Sequence, residues 1–302
     1  MVDLIHSAMP RQEVVKKFEG AENRHIIGAC KMKKIGHQIR WVLRGFALSL
    51  MAWIGLQSVA LAQSNADDSA QANNPLANFT AFNVQNYYID EFTGPGDEDG
   101  NQFVLRYAKP LSFGNTNWLL RASLPYNSFP VGPGGSTEDG LGDLDVFAAY
   151  LFDTGDPALS FGFGPQIVIP TGDDDVAAEQ WQLGFANVMF NARSAKFQYG
   201  YLLTWRYGVG SLDGDPRVNA AAFQPFGFYQ LGNGWYTGGA PIWSANLQNG
   251  NYSVPLGLRL GKVWTSGSTV YNLFAEPQFS VADSGAGQPK RQLYLALNMQ
   301  FK

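Results

Sequence analysis

From Gln63 to Lys302 the sequence holds no histidine and no cysteine, because His6, His25, His37 and Cys30 all come earlier. That absence excludes disulfides, His or Cys metal sites and histidine general-base catalysis from four-fifths of the chain. Long apolar runs are missing there too, so no membrane-spanning helix is expected in it. Positive charge is scarce. Nine of the 21 Lys+Arg and four of the 25 Asp+Glu fall within residues 1–62, which leaves 12 positive and 21 negative side chains, a balance of −9. An acidic balance of that size argues against nucleic acid as a partner.

The one long apolar run, Phe46 to Ala62, follows Lys31, Lys33, Lys34, Arg40 and Arg44 and closes with Ala60-Leu61-Ala62 before Gln63. A basic stretch, an apolar stretch and a small-x-small end make a cleaved export signal. A single membrane anchor is the other reading, and 17 residues is the bottom of the spanning range. The signal is expected over residues 32–62, starting at Met32-Lys33-Lys34, with residues 1–31 as an upstream extension. Residues 63–78, rich in Ser, Asn, Asp, Gln and Ala, read as a flexible periplasmic leader. One domain, residues 79–302, remains.

What fills that domain is alternation. Leu293, Leu295, Leu297, Met299 and Phe301 are apolar, whereas Gln292, Asn298 and Gln300 between them are polar. Period two over about ten residues is the length of a tilted strand crossing a bilayer. Twelve such spans are expected: 79–90, 101–112, 117–129, 141–152, 158–170, 181–191, 196–208, 219–231, 235–246, 252–264, 269–281 and 291–301. Spans 181–191 and 219–231 alternate least clearly and admit a one-residue slip. The connections alternate long and short, as in an even-stranded, up-and-down transmembrane β-barrel with both termini periplasmic. All six tryptophans after residue 62 stand near strand ends. Trp118, Trp235 and Trp264 sit beside short turns; Trp181, Trp205 and Trp243 lie toward long loops. Indole rings favour the headgroup level, so two girdles are expected.

Several short motifs recur in order along this region. Gly140-Leu141-Gly142-Asp143-Leu144 is followed by Gly164-Pro165 and Ile169-Pro170-Thr171-Gly172. Then come Gly234-Trp235-Tyr236 with Pro241, Val254-Pro255-Leu256-Gly257 and Gly261-Lys262-Val263. The set resembles the outer-membrane channel family named for the meta-pathway of phenol degradation, over about residues 80–302. The resemblance implies a barrel in the outer membrane that passes aromatic or other hydrophobic compounds, and it brings no catalytic residues. The closing strand resembles the assembly signal read by the outer-membrane barrel-assembly machinery, although Lys302 follows the aromatic Phe301.

If the apolar parity faces lipid, the opposite parity lines the lumen. Candidate pore-lining residues are then Arg106, Arg121, Arg206 and Arg259, with Asp143, Asp145 and Glu276 as acidic counterparts. Arg259 is expected to pair with Glu276 on the next strand, and Arg106 and Arg121 to face Asp143 and Asp145. Such charges either select solutes by a transverse field or brace a filled interior. Phe147, Phe226, Phe228, Ile242 and Phe274 share the inward parity, which suits a hydrophobic solute or a plugged barrel. Outer loops carry acidic clusters such as Asp173-Asp174-Asp175. They suit divalent bridges to lipopolysaccharide phosphates or simple solvation. The Asp173–Asp175 run lacks the ligand spacing of an EF-hand loop, so no dedicated metal site is expected there, and no cofactor is expected.

Three function classes remain. A passive channel for a small-molecule solute leads. A structural or adhesive barrel with a filled interior is second. A barrel hydrolase is third, and without histidine it would need an Asp-only or metal-dependent mechanism; the expectation is that the chain is not an enzyme.

Overall fold

Strands form where side chains alternate between two environments. The computed structural model describes residues 72–94, 98–130, 136–210 and 216–301. Its strands are β1 (Thr80–Phe92), β2 (Gly100–Phe113), β3 (Thr116–Pro130), β4 (Thr137–Leu141), β5 (Leu144–Phe152), β6 (Leu159–Ile169), β7 (Trp181–Asn191) and β8 (Phe197–Val209). There follow β9 (Asn219–Gly232), β10 (Trp235–Gly239), β11 (Trp243–Asn246), β12 (Tyr252–Gly257), β13 (Arg259–Ser266), β14 (Thr269–Ser284) and β15 (Pro289–Phe301). Three wall strands are each divided in two: β4–β5 at Gly142 and Asp143, β10–β11 at residues 240–242, and β12–β13 at Leu258. The wall therefore has the expected twelve strands. All neighbours are antiparallel, and β15 lies against both β14 and β1, which closes the ring.

The parity is the expected one. In β15, Gln292, Tyr294, Ala296 and Gln300 are buried, while Leu293 and Phe301 on the other face are exposed. Leu256, Leu258 and Leu260 are exposed and Ser253, Pro255 and Arg259 buried. The two ambiguous spans take the register that turns Phe190, Phe226 and Phe228 inward. Exposed leucine rows around a closed antiparallel ring, with polar groups inside, make an outer-membrane type of barrel. The barrel's first and last paired residues, Thr80 and Phe301, lie at the end that carries the tight turns.

One stretch of wall is not stitched. β10 pairs with β13 from Trp235↔Lys262 to Gly238↔Arg259, and β11 pairs with β12 at Ser244↔Ser253 and Ala245↔Tyr252. Between these two ladders lie Pro241 and Pro255, which have no N–H to give. Trp243 bridges the interval instead, its Nε1 donating to the Pro255 carbonyl at 3.1 Å.

Two segments outside the wall fold into the barrel. Residues 72–79 tuck in at the tight-turn end, although 72–78 are expected to belong to a flexible leader; residues 63–71 lie outside the described part. Leu76 is buried in a cluster with Ala108 and Leu119, and Asn272 Nδ2 donates to Asn73 Oδ1 at 3.0 Å. At the opposite mouth, the loop after β6 dips inward through a 3₁₀ turn, Asp174–Val176, and buries Val176, Ala177 and Ala178. Asn127 Nδ2 donates to the Val176 carbonyl at 2.9 Å and fixes that dip. Within this loop, Asp173 accepts the Leu141 N–H at 2.7 Å.

Candidate permeation path

Inward parity brings the seven candidate residues to one interior surface, but at different depths. Two cavities lie within the described part of the barrel. The first, toward the long-loop mouth, holds about 1010 Å³ of empty space, solvent open to it included, and is bordered by Asp143, Asp145 and Arg206. The second, toward the tight-turn end, holds about 900 Å³ on the same measure and is bordered by Asn73, Phe226, Phe274, Arg259 and Tyr294. Arg106, Arg121, Leu202 and Gln224 border both. These four residues stand between the two cavities and form the waist of the interior.

The expected ion pair at the tight-turn half is present. β13 and β14 set Arg259 against Glu276, and Arg259 Nε donates to Glu276 Oε2 at 2.7 Å. Glu276 is 0% exposed and borders neither cavity. Burying a carboxylate costs several kcal/mol, on the order of the penalty for any desolvated ion, so it needs several donors. It has them: the Ala240 N–H at 3.0 Å and Gln278 Nε2 at 2.8 Å donate to Oε1 as well. Ala240 lies in the unstitched stretch of wall, so Glu276 satisfies an amide that has no ladder partner there. The Arg259 guanidinium also sits 3.6 Å from the centroid of Phe274. Phe274 meets Tyr294 edge-on, and Tyr294 stacks on Tyr87 at 4.1 Å. With Phe228 at 5.2 Å and Tyr294 at 5.5 Å, three rings surround the guanidinium, which gains cation–π attraction that water would otherwise screen.

The second expected pairing is corrected. Arg106 and Arg121 do not reach Asp143 and Asp145. Asp145 is taken by Arg206, whose Nη1 lies 3.2 Å away, and by Gln166 Nε2 at 2.7 Å. Asp143 accepts the backbone N–H groups of Gly172 and Ala178, both at 3.1 Å. The reason is the in-dipping loop: its amides reach Asp143 first, and the stagger of a tilted barrel carries Arg206, three wall strands on, to the depth of Asp145. Arg106 instead donates from Nε to Ser123 Oγ at 3.0 Å, and the Arg121 guanidinium lies 4.2 Å from the Phe147 centroid.

Sequence reasoning missed two parts of this path. Residues 72–79 carry only one bulky apolar residue before Phe79, Leu76, in a polar stretch, and that leucine was the available signal. Tyr87 is adjacent to Tyr88, so alternation alone does not say which ring faces inward. The six tryptophans stand at outward positions. Trp264 stacks on Tyr271 at 5.3 Å near one end of the wall, and Trp205 stacks on Tyr207 at 6.3 Å near the other.

No protein-family model matches the chain, and no curated protein matches it by sequence. Solved structures do. The COG4313 outer membrane channel from Pseudomonas putida F1 is 12% identical, with 81% of this chain and 99% of that one covered and a TM-score of 0.58. The NanC porin (11% identity, 73% and 99% covered, TM-score 0.46) and the KdgM porin (11%, 74% and 98%, TM-score 0.43) follow. What the first of these likenesses establishes is the fold.

Proposed function

We propose that the protein is a passive channel of the outer membrane for small solutes with an aromatic or otherwise apolar body. The observation that carries this reading is the pair of cavities that share a waist inside a closed barrel. A barrel built only as a scaffold has no use for interior space on both sides of its waist. Phe226, Phe274 and Tyr294 on the second cavity favour an apolar solute, and the arginines and Asp145 supply the field that orients it. The likeness in fold to an outer membrane channel supports the same reading.

On this reading residues 32–62 direct export and are removed, and both barrel termini face the periplasm. The exposed rows meet outer-membrane lipid, and lipopolysaccharide surrounds the long loops. The assembly machinery would insert the barrel by its closing strand. The resemblance to the phenol meta-pathway channels, which rests on the ordered motifs, points to aromatic solutes in particular. The seven inward ionisable residues are proposed as the selectivity lining, with Glu276 acting through Arg259.

A second reading, a structural barrel with a filled interior, is favoured by one observation: a chain segment enters each mouth. Conductance of the refolded protein in a planar lipid bilayer separates the two. Discrete ion steps support the channel; silence from folded protein supports the filled barrel.

A further inference from the structure

The waist is built unlike the rest of the interior. Arg259 and Arg206 each hold a carboxylate, at 2.7 and 3.2 Å. Arg106 and Arg121 have no carboxylate within 4.0 Å among the described residues, although both face the lumen and border both cavities. They sit on adjacent strands, where Arg106 is opposite Ser123 and Arg121 opposite Ala108. That makes them diagonal neighbours on one face, roughly 7–8 Å apart. Two guanidinium groups so placed repel one another, and the barrel's own acids leave that repulsion standing: Asp145 is engaged by Arg206 and Gln166, and Asp143 by two backbone amides.

Their contacts position them without neutralising them. Ser123 takes one N–H of Arg106, and Phe147 takes the face of Arg121. A guanidinium carries five N–H donors in a planar fork that matches a carboxylate in bidentate fashion. Most of the ten donors here remain available to something in the lumen. The remaining wall at this level is Leu202 and Gln224, with Phe226 just below in the second cavity.

We propose that Arg106 and Arg121 form a carboxylate-binding subsite at the waist, taking small organic monoanions whose apolar body lies against Leu202 and Phe226. The subsite deepens the channel reading and rests on it for its place on a transport path. Aromatic carboxylates satisfy both halves of the site, whereas inorganic anions satisfy only the arginines.

Benzoate and benzyl alcohol are the probes, since they share the ring and differ in the carboxylate. Calorimetric titration of the refolded protein in detergent should show benzoate binding more tightly than benzyl alcohol. Arg106→Gln combined with Arg121→Gln should weaken benzoate by at least about tenfold, the scale of a lost charge-assisted contact, and leave benzyl alcohol unchanged. The unheated electrophoretic mobility of a folded barrel checks each variant, and the single substitution Arg121→Gln serves if the double one does not fold. Equal affinity for the two probes, or benzoate binding that survives the substitutions, overturns the subsite. Reversal potentials in a potassium benzoate gradient read the channel separately. Arginine-dependent binding without current refutes the channel and keeps the subsite; current without that binding refutes the subsite and keeps the channel.

Discussion

Arg259 shows what an interior charge demands. Its partner Glu276 has no exposure and receives donors from Arg259, Ala240 and Gln278. Replacing Glu276 by alanine leaves a buried guanidinium without its counter-charge and an amide without an acceptor. The expected loss is about 3–5 kcal/mol, read as a lower urea midpoint for the barrel in lipid vesicles. Replacing both members, as Arg259→Met with Glu276→Leu, should cost much less, because no charge is then stranded. At this scale the sequence was informative about direction: alternation put the seven candidate residues on the inward face. On partners it gave the Arg259–Glu276 pair, one step beyond Leu260↔Ala275 on consecutive strands, but set Arg106 and Arg121 against the wrong acids, Asp143 and Asp145. The Arg206–Asp145 pair joins residues 61 positions apart, and nothing local encodes such a meeting.

Strands tolerate change according to the face they present. Leu260 lies near the middle of the wall strand that β12 and β13 make together and is 54% exposed, in the row with Leu256 and Leu258. Leu260→Arg should destabilise the folded barrel in vesicles by about 2–4 kcal/mol, as expected for arginine at the bilayer midplane. No loss of stability on this substitution would mean that the leucine row does not face lipid. Gly184 in β7 is limiting for a different reason. A Cβ there would lie 1.8 Å from the Trp205 carbonyl oxygen on β8, so Gly184→Ala must push the two strands apart. A loss of roughly 1–3 kcal/mol is expected from such overpacking, seen as folding at lower urea only. Strand positions were legible because a bilayer imposes both the period and the length. The breaks were not: at β12–β13 the hydrogen-bond ladder is interrupted while the alternation runs on, and at β4–β5 the inward parity shifts by one residue across Gly142 and Asp143.

For the whole molecule, the occupied mouths matter most. Residues 72–79 approach the lumen from the tight-turn end through Leu76 and the Asn272–Asn73 contact. Deleting them should raise single-channel conductance without changing the unheated mobility of the barrel; unchanged conductance would mean that the segment does not narrow the path. Orientation can be read in intact cells, because residues 63–302 contain no native cysteine. Gln248→Cys, in the connection between β11 and β12, should react with a membrane-impermeant maleimide. Asn233→Cys, in a tight turn, should not. The reverse pattern would put the termini outside.

Read alone, the sequence specified most of the wall: how many strands cross, which turns are tight and, outside the two ambiguous spans, which residues face lipid. Each of these follows from a local rule, since the side chains of a strand alternate and a bilayer of fixed thickness sets its length. Only the tertiary structure decided what the interior contains. Ring closure and strand stagger brought Arg206 to Asp145, and the loop after β6 gave its amides to Asp143. With both acids engaged, Arg106 and Arg121 were left facing the waist. Contacts across a closed ring depend on depth as well as parity, and depth is set by how all twelve strands tilt together.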